Sequence, residues 1–354
     1  MAPLALLGIA ILAAHFWPER WHVQQGVNDF LGLYAGARLV GSPGQYNPER
    51  YKQEQIAATG WFGESLLYTR LPAFAIPLRP LGGMPYQHAL RLWLSILVLC
   101  AAAFILIWPA RDRPLLALAC CGSFPLAAAL VNGQDVPILL VLIAFALRFA
   151  ERRPFLAGCI LALCGVKYHL FFALPPVLAT QRRWRMLGGL AAAGAAILAL
   201  CFAVAGPGWP AEYLKLVTSG VTNPDVRIMP NLRGLVEGLP HAVAFEILLA
   251  GLVVAAACFI AARSGFSVGF AAALLGGVLI SHHAYIADLA LLIPALLTFA
   301  GKFPTMPVRV LCGALLLPVW FLLPSPVLPL TAPVPLMLLA LTGSVAFALK
   351  SHSS

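Results

Sequence analysis

Between Met186 and Gly206 the chain carries no charged residue, and between His241 and Ala262 it carries only Glu246. A helix needs about 20 apolar residues to cross the hydrocarbon core of a bilayer, and both runs meet that length. Backbone groups in lipid must be satisfied within the segment or within a closed barrel. These runs are rich in Ala and Leu and lack the period-two alternation of barrel strands, so the chain reads as an all-α polytopic membrane protein. Charge supports this: 10% of residues are charged and 61% hydrophobic, where a soluble domain carries roughly 25% charged.

Further apolar runs lie at about 85–108, 114–131, 136–150, 155–166, 168–180, 266–281, 284–300, 308–323 and 331–349. With the two above and a first helix before residue 18, they suggest about twelve spans. Runs 155–166 and 168–180 are short enough to be one broken helix. Met1 to Trp17 has no basic leader and no small-x-small cleavage site, so it is expected to be a retained helix. The connections carry Arg111/Arg113, Arg148/Arg152/Arg153, Arg182/Arg183/Arg185, Arg263, Lys302/Arg309 and Lys350. All of these fall on the cytoplasmic side, with both termini inside, if segment 61–83 is re-entrant or interfacial, as its Pro72, Pro77, Pro80, Gly82 and Gly83 suggest. The net charge of +10 is therefore a membrane-topology signal, and no nucleic-acid partner is expected. Cys100, Cys120, Cys121, Cys159, Cys164, Cys201, Cys258 and Cys312 all sit in or beside apolar runs, as packing residues do.

The whole chain, 1–354, reads as one domain. An outer loop over 18–83 holds interfacial helices at about Asp29–Val40, with Phe30, Leu33, Ala37 and Val40 on one side, and from Pro48 to about Ala58, separated by Gly41-Ser42-Pro43-Gly44. A second outer loop covers 207–240. In this arrangement the uncommon polar residues gather on the outer face: Asp29, Asn132-Gly133-Gln134-Asp135, Lys167-Tyr168-His169, and Ser281-His282-His283. Chemistry at one membrane surface would look like this. A transporter or flippase of a lipid-linked sugar, the alternative, would rather place polar residues at mid-membrane in both halves. A non-catalytic assembly subunit is a third reading.

Each candidate has a plain structural reading beside the chemical one. Asp29, one of 13 acidic residues, stands where a helix N-cap would, but an interfacial carboxylate also serves as a general base. Lys167 either snorkels to the surface or offers a point charge to a phosphate, with Tyr168 and His169 adding hydrogen bonds. Asn132-Gly133 is a turn signal that also presents Gln134 and Asp135. Asn231 reads as a cap, while the fork of Arg233 suits a bidentate anion. Arg70 and Arg79 are weaker candidates of that kind. Adjacent residues on a helix diverge, so His282-His283 is a poor chelate; no metal is expected, and phosphate or sugar binding suits the pair better. Asp288, buried in an apolar run, needs a partner or a function.

These short motifs together resemble glycosyltransferase family 87. The matching residues are Asp29-Phe30 with Tyr34 and Ala35-Gly36-Ala37, Gly44-Gln45-Tyr46, Leu71-Pro72, Leu78-Arg79-Pro80-Leu81, Trp93, Gly133-Gln134, Ala157-Gly158 with Lys167, Asn231-Leu232-Arg233-Gly234-Leu235, and His282-His283 with Tyr285 and Asp288. The resemblance implies a GT-C-like bundle and an inverting enzyme of the inner (plasma) membrane. It would move a hexose, mannose in the first place, from a polyprenyl-phosphate donor to an extracytoplasmic hydroxyl of a glycolipid, glycan or protein, without a cofactor or an obligatory metal. By that resemblance Asp29 is the base. Lys167, His282, His283 and Arg233 are expected at the donor phosphate, and Tyr34, Gln134, Asp135, Tyr168, His169, Asn231 and Tyr285 at the substrates.

Overall fold

A computed structural model describes residues 2–63, 66–109, 112–219, 225–316 and 333–351. Arg111 and the end of the apolar run 308–323 lie outside them. The described residues form helices and turns with no strand. Among the described residues six helices are long and apolar enough to cross a membrane: Ala2–Gln24, Tyr86–Ile107, Pro154–Phe171, Trp184–Ala205, Ala242–Ala262 and Pro333–Ser351. Arg113–Cys121 and Phe124–Val131, bent by 61°, make a seventh if taken together. The bend falls at Ser123, whose side chain accepts from Leu126 N and caps the second helix, with Pro125 in its first turn.

Apolar runs alone suggest about twelve spans, and the difference has a physical cause. Phe266–Ile280 is a helix of 15 residues buried from Val268 to Leu279, and Val136–Phe149 has 14. A helix surrounded by protein is as apolar as one surrounded by lipid, so composition does not separate the two. Pro154–Leu163 continues through a 3-10 stretch, Cys164–Phe171, into Leu174–Thr180, which makes the runs 155–166 and 168–180 one interrupted path.

Helix Phe30–Leu39 occupies nearly its expected position but is buried on almost every side, from Phe30 to Ala37 and at Leu39, instead of lying on a surface. Its glycines explain how. A Cβ on Gly32 would stand 2.7 Å from the Leu66 carbonyl oxygen, and one on Gly36 would collide with the Tyr68 ring. Segment 66–68 therefore lies directly on the helix. Beyond it, 61–83 contains only the 3-10 stretch Pro72–Leu78 and the single turn Arg79–Gly82 among described residues. Helix Pro48–Thr59 starts at Asn47, whose side chain accepts from Glu49 N.

The connections sort to two ends of the bundle. At one end Arg183 donates to Glu151 at 3.1 and 2.7 Å, its guanidinium lies 4.7 Å from the Phe266 ring, and Gln181 reaches the Ala261 carbonyl at 3.2 Å. The basic connections at 151–153, 181–185 and 263–266 thus meet there. At the other end Asp29 N donates to Asn132 O at 3.0 Å and Asn231 donates to Ser281 O at 2.6 Å. Helix Val136–Phe149, 14 residues long, separates the two by about 21 Å at 1.5 Å per residue.

Candidate active site

The turn 132–135 is the platform of the polar end. Gly133 has φ +66°, and a Cβ there would stand 2.9 Å from Phe30 Cβ. Its carbonyl accepts from Trp93 Nε1 at 2.8 Å, and the Trp93 ring stacks on Phe30 at 5.8 Å. The backbone bond from Asp29 N to Asn132 O then holds the two turns together.

Asp29 opens the helix Phe30–Leu39, yet its side chain makes no capping bond. Its carboxylate instead accepts from Gln134 Nε2 at 2.6 Å. Gln134 Oε1 accepts from Lys167 Nζ at 2.7 Å, and Lys167 donates again to Asp288 Oδ1 at 2.5 Å. The other Asp288 oxygen accepts from Tyr285 N at 2.9 Å. Asp135 takes both arms of Arg70, at 3.0 and 3.1 Å, and lies 3.8 Å from Lys167. Lys167 does not snorkel: it is 4% exposed and sits at a break in the backbone, with φ −124° and ψ 54°.

The cluster holds three carboxylates, Asp29, Asp135 and Asp288, against two cations, Arg70 and Lys167. Gln134, Asp135, Lys167 and Asp288 are buried, whereas Asp29 keeps part of its surface open. Burial raises the Asp29 carboxyl above its ordinary pKa, opposed by the Gln134 hydrogen bond and by the charges of Lys167 and Arg70.

A second layer joins three elements. Ser281 Oγ donates to His283 O at 3.0 Å. Its proton being used there, His169 Nδ1, 2.8 Å away, must be the donor of their bond, which leaves Nε2 as an acceptor. Asn231 combines its bond to Ser281 O with a cap on Gly234 N at 3.0 Å. Arg233 donates to His282 O at 3.1 Å and to the His282 ring nitrogen at 2.5 Å. The His283 ring packs edge-on to Tyr285 at 4.8 Å and to His169 at 5.9 Å. Burial lowers His283 to about 4. His282 is lowered by burial and by the Arg233 charge.

Two expected substrate residues have their polar atoms engaged elsewhere. The Tyr34 hydroxyl donates to Met84 O at 2.7 Å, and its buried ring packs against Tyr86. The Tyr168 hydroxyl meets that of Tyr213 at 3.2 Å. Arg79 is exposed. Arg70, only a minor candidate from sequence, enters the cluster. So does Asp288, marked in the sequence as an acid in an apolar run. Ser281, marked in the sequence only as part of Ser281-His282-His283, joins His169 and Asn231.

Membrane-type helices with a carboxylate and cation cluster at one end suit an integral-membrane glycosyltransferase. The sequence model of glycosyltransferase family 87 matches residues 68–284, more than half of the chain, and the protein belongs to that family. The matched region contains Arg70, Gln134, Asp135, Lys167, Arg233, His282 and His283; Asp29 and Asp288 lie outside it. No curated protein and no solved structure matches the chain.

Proposed function

We propose that this membrane glycosyltransferase transfers a hexose, mannose in our reading, from a polyprenyl-phosphate donor to an acceptor hydroxyl, with Asp29 as general base. The observation that carries the reading is the Asp29 carboxylate: it stands at a helix start without capping it and is the partly open carboxylate of the cluster, beside Arg70, which is partly open too, while Asp135 and Asp288 are buried. The acceptor proton passes to Asp29 as the acceptor oxygen bonds to the anomeric carbon. The bond from that carbon to the phosphate oxygen breaks, and its electron pair leaves on the lipid phosphate. Attack opposite the leaving group inverts the anomeric centre.

The departing phosphate needs cations beyond Arg70 and Lys167, which three carboxylates already offset. Arg233, with His282 and His283 beside it, is the group we assign to it, since fixed charge aimed at a leaving group is usually a large catalytic term. Asn231 positions that group through Ser281, and His169 and Tyr285 border it through the His283 ring. Asp135 holds Arg70 at the wall of the sugar site. Glycolipid, glycan and protein acceptors all present such a hydroxyl. We place the site on the extracytoplasmic side of the inner membrane and both termini in the cytoplasm, because the basic connections meet at the opposite end. No cofactor or metal enters this scheme.

The test is label transfer from a radiolabelled polyprenyl-phosphate-mannose to a membrane-lipid acceptor pool by purified protein in nanodiscs. Transfer by wild type and not by Asp29→Asn is expected. Equal turnover by the two would remove Asp29 as base, and failure with mannosyl, arabinosyl and glucosyl donors would remove the enzyme reading.

A further inference from the structure

The sequence motifs place Lys167 at the donor phosphate, but its surroundings point to another role. The residue is 4% exposed, and its ammonium lies 2.5 Å from Asp288, 2.7 Å from Gln134 Oε1 and 3.8 Å from Asp135. Two carboxylates therefore offset its charge.

An ammonium only donates hydrogen bonds, so the Gln134 atom facing Lys167 must be the oxygen. The amide nitrogen is then turned to Asp29 Oδ2, 2.6 Å away. The flipped amide would set N–H groups against the ammonium and its carbonyl against the carboxylate, and both contacts repel. Lys167 is fixed in turn by Asp288, itself held by Tyr285 N at 2.9 Å. Asp29 Oδ1 has no hydrogen-bond partner among the described residues.

We propose that Lys167 is a positioning residue: anchored by Asp288, it orients the Gln134 amide, which holds Asp29 Oδ2 so that Oδ1 is presented to the acceptor hydroxyl. This rests on the glycosyl-transfer reading. In the reaction the acceptor proton goes to Oδ1, the acceptor oxygen bonds to the anomeric carbon, and the phosphate departs with the electron pair. Gln134 keeps its bond to Oδ2 throughout, so the carboxylate does not rotate between turnovers. Lys167 touches neither donor nor acceptor.

Two variants test this. Gln134→Leu cuts the chain at its middle. Lys167→Met/Asp288→Asn removes the anchoring pair together and leaves no buried charge alone. In each, the Asp29 carboxyl is titrated by difference infrared spectroscopy, its band identified by loss in Asp29→Asn, and kcat and donor KM are measured by label transfer in nanodiscs. Gln134→Leu is expected to move the Asp29 titration upward, because a hydrogen bond to the charged form is lost; the double variant is expected to move it upward as well, because the Lys167 charge that lowers it outweighs the Asp288 charge that raises it. Both variants are expected to lower kcat about 10- to 100-fold with donor KM unchanged. An unmoved titration in folded variants overturns the proposal. So does a donor KM raised tenfold with the titration unmoved, which would return Lys167 to the phosphate. If the double variant does not fold, Gln134→Leu decides by the same two readings. Wild-type protein without transfer activity defeats the enzyme reading separately, and the titration still decides whether the chain acts on Asp29.

Discussion

Lys167 Nζ and Asp288 Oδ1 stand 2.5 Å apart although 121 residues separate them in the chain. Both side chains are withdrawn from solvent, 5% and 2% exposed. Each is the other's main compensation for burial. A buried ion pair adds little net stability over apolar residues, but removing one partner strands the other, at a cost of about 3–5 kcal/mol.

Lys167→Met alone is accordingly expected to lower stability by about that amount. Lys167→Met/Asp288→Asn should recover most of it, since no isolated charge remains. Unfolding midpoints in a fixed detergent measure both. Equal midpoints for the single and double variants would show that the pair is not coupled.

Asp29→Asn is expected to reduce turnover by ~10²–10⁴-fold, the usual contribution of a general base. The base works only when ionised, and burial raises its pKa. Activity should therefore fall on acidification at a pH above the ordinary carboxylate value of about 3.9. The acid limb of kcat/KM against pH reads this directly. A limb at the ordinary value would show that Asp29 is solvated as a surface acid is.

The sequence shows why some of this was legible and some was not. The break at Gly41 and Gly44 and the helix from Pro48 follow local rules, and the structure has them: both glycines have positive φ, +74° and +77°. Asn132-Gly133 reads as a turn and is one. Burial is another matter, because helix Phe30–Leu39 looks amphipathic until segment 66–68 is laid over Gly32 and Gly36. The ion pairs were half legible. Lys167 and Asp288 each stand out as charges in apolar runs, and the acid calls for a partner or a function. That they choose each other, and that Arg70 chooses Asp135, depends on packing between segments far apart in sequence.

Gly133→Ala is expected to cost more than backbone strain alone. A residue with a Cβ in this conformation loses about 1–2 kcal/mol, and here the added carbon also stands 2.9 Å from Phe30 Cβ. Displacing that contact moves the turn that carries Gln134, so activity should fall with stability. Gly60→Ala is the control, since Gly60 has φ +75° but open space around its Cβ position. It should lose only the backbone share and keep full activity. Thermal midpoints and label transfer on the two variants separate strain from the close approach.

Arg233 and His283 should separate in their response to substitution. Arg233 is the permanent cation we assign to the donor phosphate, and its planar fork suits two phosphate oxygens at once. A hydrogen bond to a charged group is worth about 1.5–3 kcal/mol, so Arg233→Gln should raise donor KM by about 10- to 100-fold. Arg233→Lys should restore only part of this, because a point charge cannot make the paired contact. His283 titrates at about 4 and is uncharged at neutral pH, so it contributes a hydrogen bond and a ring. His283→Gln keeps a neutral donor and should change donor KM by less than about tenfold at pH 7. Donor saturation curves for the three variants measure these effects. A loss in His283→Gln as large as that in Arg233→Gln would mean that the histidine carries charge once the phosphate is bound.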